Sequence, residues 1–280
     1  MTDRRAKPAS TRAVPVIAIL TDFGYRDHYA GVMKGVIARV APRVPIIDLT
    51  HGVPPQSVAA GAFVLAQSWR YFPARTIFLA VVDPGVGTAR APIAIDTRAG
   101  ARFVGPDNGL LSIAARQAGV RRMVELTSRR HRLSEISSTF HGRDIFAPAA
   151  AWLARGAAIG ALGRGIDRIV ELALPEPSVS AARIRGEVLY VDGFGNLITN
   201  VSRKDLAHLS DSFREKPLSV RINGSAAIRI HRAYGDAPVG GALAAFGGFD
   251  LLEIALRDAS AALRYHADAG ASVVVSAARA

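Results

Sequence analysis

The chain predicts an α/β N-terminal domain with a mainly parallel sheet flanked by helices, followed by a smaller, mainly β C-terminal domain. Three observations carry that reading. Short runs of branched apolar residues alternate with amphipathic segments through the first half, which is the signature of strand–helix–strand units and a parallel sheet. A proline-rich joint at Pro175 to Pro177 then interrupts the chain. Beyond it, short strand-like runs are separated by glycine, asparagine and proline turns. The reading divides the chain into residues 1–14, a flexible arm without apolar periodicity, residues 15–175, the α/β domain, and residues 181–280, the β-rich domain.

The elements follow in order. Val16 to Leu20 is a continuous apolar run that reads as a buried strand, and Thr21-Asp22-Phe23-Gly24 reads as the loop at its carboxyl end. Tyr29, Val32, Met33, Val36, Ile37 and Val40 recur at helical spacing, and Pro42 closes that helix. Val44 to Leu49 reads as a second strand and Gln56 to Tyr71 as a second helix. Thr76 to Val82 reads as a third strand ending in Asp83-Pro84-Gly85-Val86-Gly87. His141-Gly142-Arg143-Asp144 opens a helix through Phe146 and Trp152. In the second half, 186–191, 218–222, 226–231, 243–246 and 272–276 read as strands. No internal repeat and no low-complexity tract is present beyond an alanine bias.

Half of the residues are hydrophobic and 21% are charged, which suits a packed core. The absence of cysteine excludes disulfides, thiolate nucleophiles and cysteine-type zinc, and fits a reducing cytoplasm. No apolar run approaches a membrane span, and the basic start lacks the apolar stretch of a signal peptide, so a soluble protein with no membrane partner is expected. The net charge of +12 is that of many nucleic-acid binders. The arginines are scattered among alanines, however, and the clusters at Arg4, Arg5, Lys7 and Arg12 and at Arg121, Arg122, Arg129, Arg130 and Arg132 have no interleaved aromatics for base stacking. The charge reads as a solvated basic surface, not a nucleic-acid interface.

Ligands of open parallel sheets bind beyond the carboxyl ends of the strands. Two such ends carry a carboxylate here, Asp22 and Asp83, each beside glycines. Asp22 alone serves equally as a turn former or helix cap. Asp-Phe-Gly is not a kinase signature, because no catalytic loop precedes it. Arg90, seven residues after Asp83, either faces the same pocket or forms a surface ion pair of little value. His141, at a helix start, is either a cap or a third member. Together, Asp83, Arg90 and His141 suffice to hold a water as nucleophile, with Asp83 orienting or charging the imidazole and Arg90 stabilising hydroxide character. Histidines are few and lack metal-ligand spacing, so no metal is expected. Asp192 suits an ammonium and the Asn196 amide suits a base edge, unless the segment is only a hairpin turn. Gly105-Pro106-Asp107-Asn108-Gly109 reads as a turn with Asn108 near a helix cap.

The order and spacing of six segments resemble one family: Thr21 to Gly24, Thr50-His51 to Pro54-Pro55, Val82 to Arg90, Gly105 to Leu111, Thr139 to Asp144, and Phe194-Gly195-Asn196. They are similar to the S-adenosyl-L-methionine hydroxide adenosyltransferases, relatives of fluorinase and chlorinase, over roughly residues 16–260. The resemblance implies a barrel-like C-terminal domain and a homotrimer with substrate bound between subunits. It also implies displacement of methionine from the ribose C5′ by hydroxide, giving adenosine and L-methionine, with no cofactor. By resemblance Asp83, Arg90 and His141 are the water-activating triad and Asp22 holds the ribose hydroxyls. Asn196 contacts adenine, Asp192 takes the methionine ammonium, and Glu253 and the backbone around Leu256 contact adenosine. The halogenating relatives carry different residues where this chain has Asp83 and His141-Gly142, which points to hydroxide. One departure stands out. The family's Asn-Ser pair is Gly247-Gly248 here, although Leu252-Glu253-Ile254-Ala255 is intact, so weaker substrate binding is expected.

Two other classes compete with a hydrolase or a halogenase. A nucleoside-binding protein without turnover would bind adenosine tightly, and a basic nucleic-acid binder would show strongly salt-dependent binding.

Overall fold

The computed structural model describes residues 15–209 and 217–277, and the arm expected at residues 1–14 lies outside them. The chain divides into two compact units, with the boundary between Leu172 and Ala173.

The N-terminal unit is built on a seven-stranded sheet. Its strands are β1 (Ile17–Thr21), β2 (Ile46–Thr50), β3 (Ile77–Val81), β4 (Pro92–Thr97), β5 (Arg102–Pro106), β6 (Val120–Glu125) and β7 (Arg164–Ile166), in the spatial order β2-β1-β3-β5-β4-β6-β7. β1 and β3 are buried along their whole length, as strands covered on both faces must be. Ile17, Ile19, Ile77, Leu79 and Val81 point to one face, where they pack with Met33 and Ile37 of α1 (Tyr29–Val40) and Leu153 of α4 (Ala147–Ala154). On the other face α2 (Val58–Ser68) packs on α3 (Ser112–Ala118), and Gly61 brings α2 close over Leu20 and Val82. Ser57 caps α2 by accepting from the Ala60 N–H at 3.4 Å.

The sheet is mixed, not mainly parallel. β2, β1, β3 and β5 run parallel, whereas β4 pairs antiparallel with β5 and β6, and β6 with β7. The reason is chain length: four residues link β4 to β5, with Gly100 at φ +85°, and a connection that short closes a hairpin but cannot cross over. This topology brings the ends that matter to one edge. The carboxyl ends of β1, β2, β3 and β5 lie there, and because Pro92 pairs with Pro106, so does the start of β4. Glu125, the last residue of β6, pairs with Ile93, so the long loop that returns to α4 also leaves from that edge.

The C-terminal unit contains an antiparallel sheet in the order β12-β11-β15-β9-β10-β14-β13, with β8 (Ser178–Val179) on β9. The strands are β9 (Arg183–Val191), β10 (Leu197–Ser202), β11 (Leu218–Ile222), β12 (Ile228–Arg229), β13 (Ala242–Phe246), β14 (Leu251–Leu256) and β15 (Ser272–Ala277). Its two ends meet: Ile230, just past β12, bridges Ala244 of β13, and the His231 N–H donates to the Ala244 carbonyl at 2.7 Å. The sheet therefore curls into a nearly closed barrel around Ile184, Val201, Val220, Leu252 and Val275. Closure removes exposed strand edges.

Candidate active site

In the N-terminal unit the edge gathered by the topology carries a cavity of about 390 Å3, lined among others by Asp22, Asp83, Gln56 and His141. Asp83 follows β3 and Arg90 precedes β4. Their ion pair is bidentate: Arg90 Nε donates to Asp83 Oδ1 at 2.8 Å and Nη2 to Oδ2. Both side chains are more than nine-tenths buried, at 6% exposure for Asp83 and 8% for Arg90. The pair is thus no surface salt bridge, and its planar fork fixes the carboxylate's orientation. The guanidinium lies over the Phe146 ring at 5.1 Å, and its Nη1 is buried with no partner in the protein.

His141 joins through Arg90, not through Asp83. Arg90 Nη2 lies 2.9 Å from His141 Nδ1. A guanidinium only donates, so Nδ1 accepts and the ring proton sits on Nε2. Burial lowers the histidine's pKa, the Arg90 charge lowers it further, and Asp83 and Asp144 oppose that without reversing it. The sequence reading put Asp83 on the imidazole; the structure puts Arg90 between them. His141 stands at the start of a π-helical turn (Gly142–Phe146) that runs into α4. The fully buried Asp144 secures the preceding loop by accepting from Ser137 N at 2.8 Å. Gly87, at φ +79°, lets that loop's Ser138 carbonyl approach where any side chain would collide.

Asp22 lies at the same cavity. Its carboxylate accepts from the Gln56 N–H at 2.8 Å, and Gln56 holds a left-handed φ of +64° unusual outside glycine. The buried His51 steadies this loop: its Nδ1 is 2.7 Å from Thr21 Oγ1, and its carbonyl accepts from the Gly24 N–H at 2.8 Å. Phe23, Tyr29 and Phe140 add an aromatic wall, with centroids 5.4–6.1 Å apart. Sequence reasoning missed Gln56 and the wall. Gln56 read only as the start of the second helix, Tyr29 as one of the helically spaced apolar positions, and Phe140 only as part of the Thr139 to Asp144 segment.

The C-terminal unit carries a second cavity, of about 640 Å3, lined among others by Asp192, Asn196, Tyr234 and Leu256. Asp192 and Asn196 form the β9–β10 hairpin turn and a side-chain pair at once. Asp192 Oδ1 accepts from the N–H groups of Phe194 and Asn196, both at 2.9 Å, and Asn196 Nδ2 donates to Asp192 Oδ2 at 2.9 Å. Glu253 accepts from the Tyr234 hydroxyl at 2.5 Å. Burial pushes that phenol's pKa up, and the hydrogen bond to Glu253 adds to it. Tyr234 is a lining residue the sequence reading missed, since 19 residues separate it from Glu253. The Glu253 carboxylate occupies the space a side chain at 247 would fill, so a larger residue there would displace that flexible carboxylate, whereas position 248 is open. Among the described residues no group of three or more His, Asp or Glu is placed to hold a metal ion, and no helix is long and apolar enough to cross a membrane.

A mixed α/β unit with a buried carboxylate–guanidinium pair leading to a half-buried imidazole at its strand ends, joined in one chain to a curled β unit, defines the class. The family model of the SAM hydroxide adenosyltransferase N-terminal domain matches residues 17–163, and that of the C-terminal domain matches residues 186–274. The chain belongs to the SAM hydroxide adenosyltransferase family. It is 45% identical over 229 residues to a protein of Salinispora tropica named (R)-S-adenosyl-L-methionine hydrolase, covering 81% of this chain and 84% of the relative. A Thermus thermophilus protein of the same name is 37% identical, over 88% and 93% of the two chains. A fluorinase of an Actinoplanes species is 31% identical, over 69% and 73%. An uncharacterized conserved protein from Thermotoga maritima has the same fold, with a TM-score of 0.86 and 36% identity over 93% of this chain and all of that one.

The lowered His141 pKa has a consequence for stability. Below 6.5, the ordinary value, the unfolded chain binds a proton at this histidine that the folded chain resists, so stability falls as pH drops through that value. Chemical denaturation of the parent and of His141→Gln at about pH 7 and about pH 5 should show the parent losing more stability over that interval. Equal losses would mean that His141 titrates normally in the folded protein.

Proposed function

We propose that the chain hydrolyses S-adenosyl-L-methionine. A water oxygen attacks the ribose C5′, the C5′–S bond breaks with its electron pair going to sulfur, and adenosine, L-methionine and one proton are released. The observation that carries the reading is the row Asp83–Arg90–His141, its ion pair buried and its imidazole half-buried, with the unpartnered Arg90 Nη1 as a ready donor to an oxygen nucleophile. Asp83 accepts the water's proton, and the Nε2–H of His141 orients the oxygen. No metal or cofactor is required, because a sulfonium is already a good leaving group and the site's task is positioning in a dry pocket. Carboxylates and an aromatic wall suit a cationic substrate. The names of the relatives support the same reaction.

Within this reading Asp22 holds the ribose hydroxyls, Asn196, Glu253 and the backbone at Leu256 contact adenosine, and Asp192 takes the methionine ammonium. The protein acts as a homotrimer, each site sharing the N-terminal unit of one subunit and the C-terminal unit of its neighbour. The cysteine-free composition suits a cytoplasmic setting.

Incubation with S-adenosyl-L-methionine in 18O-water should place one labelled oxygen in the adenosine 5′-hydroxyl and none in methionine. Asp83→Asn, Arg90→Met and His141→Gln should each lower kcat by about a hundredfold or more while leaving adenosine binding largely intact. A 5′-haloadenosine formed in preference to adenosine when chloride or fluoride is added would make the chain a halogenase, and binding without turnover would leave it a nucleoside-binding protein. Light scattering alongside the assay should find a trimer; a fully active monomer would contradict the shared site.

A further inference from the structure

Asp83 and Arg90 do not sit on neighbouring strands. β5 lies between β3 and β4, so the loop that carries both residues crosses two strand spacings, roughly 10 Å of sheet. What holds the flanking backbones at that separation is the chain just beyond β5. On one side the Asn108 amide donates from Nδ2 to the Val82 carbonyl at 2.8 Å, one residue before Asp83. On the other, the Asp107 N–H donates to the Ala91 carbonyl at 2.9 Å, one residue after Arg90. The β3–β5 ladder pairs Leu79 with Val104 as its last partners, so beyond it the side chain of Asn108 supplies the donor that the buried Val82 carbonyl requires. Asn108 Oδ1 is itself fixed, accepting from the Leu110 N–H at 3.2 Å. Asp107 Oδ1 accepts from the Val170 N–H at 2.8 Å, which anchors the same segment from a third direction.

We infer that Asn108 is a positioning residue for the catalytic row: it sets where Asp83 stands relative to Arg90, and through Arg90 where His141 stands, without touching substrate. This goes beyond its reading as a turn former. The turn needs only the Oδ1 contact to Leu110, whereas the Nδ2 contact faces the loop that carries Asp83. The distinction is testable because the two contacts separate by chemistry. Serine makes the same turn hydrogen bond two residues ahead but is too short to reach the Val82 carbonyl, and alanine makes neither.

The experiment compares the parent with Asn108→Ser and Asn108→Ala in two readouts. The first is steady-state hydrolysis of S-adenosyl-L-methionine, which rests on the hydrolase reading. Both variants should lose about tenfold to a hundredfold in kcat with KM within about twofold, as misplacement of a reacting group does. The second is the titration of His141 in the substrate-free protein, followed by NMR and assigned by its absence in His141→Gln. Arg90, Asp83 and Asp144 are the charged groups acting on this imidazole. If the row loosens, Arg90 withdraws and the histidine titrates higher in both variants, and this outcome is read whether or not the parent turns over the substrate. A folded Asn108→Ser whose kcat and His141 titration both match the parent would overturn the assignment. So would a loss of kcat, KM and melting temperature together that serine restores, because that pattern belongs to the turn alone.

Discussion

The structure depends on one buried ion pair. Removing a carboxylate and a guanidinium from water costs several kcal/mol for each ion, and the attraction between them offsets that only with near-ideal geometry and further hydrogen bonds. Asp83 and Arg90 meet the first condition by bidentate pairing, and the ring of Phe146 covers the guanidinium. Much of the surrounding architecture serves to keep that geometry. The β5 extension ties both flanking backbones, Gly87 admits the Ser138 carbonyl, and Asp144 pins the loop that delivers His141. The same pair dictates the state of the histidine, since a guanidinium aimed at Nδ1 excludes a proton there and opposes a second positive charge.

How much of this was legible follows from which signals are local. The apolar run at Val16 to Leu20 and the helical spacing from Tyr29 to Val40 are local, and the structure has β1 and α1 at those places. The placement of Asp22 and Asp83 at strand ends follows directly from such runs. The mixed sheet was missed because the reading extended an early strand–helix alternation past Asp83, where Pro92–Thr97 and Arg102–Pro106 are too close in sequence to be parallel neighbours. That signal was available in the short Arg98 to Ala101 link. Pairing across space was not available. Nothing in sequence says that Arg90 lies between Asp83 and His141, that Gln56 adopts a left-handed conformation to reach Asp22, or that Tyr234 meets Glu253.

The resemblance alone made Gly247-Gly248 an expected loss of side-chain contacts. In the structure, the Glu253 carboxylate takes the space beside Gly247 and receives the Tyr234 hydroxyl. Position 248 carries no such constraint and is open.

The central claim is that Arg90 stands between Asp83 and His141 and fixes the imidazole as the neutral tautomer with its proton on Nε2. The direct measurement is the pair of 15N chemical shifts of the His141 ring at neutral pH, assigned against His141→Gln. The account predicts an unprotonated, acceptor-type Nδ1 and a protonated Nε2. A proton on Nδ1, whether in the other neutral tautomer or in an imidazolium, would contradict it, because Arg90 would then face a donor and the row would have to be ordered differently.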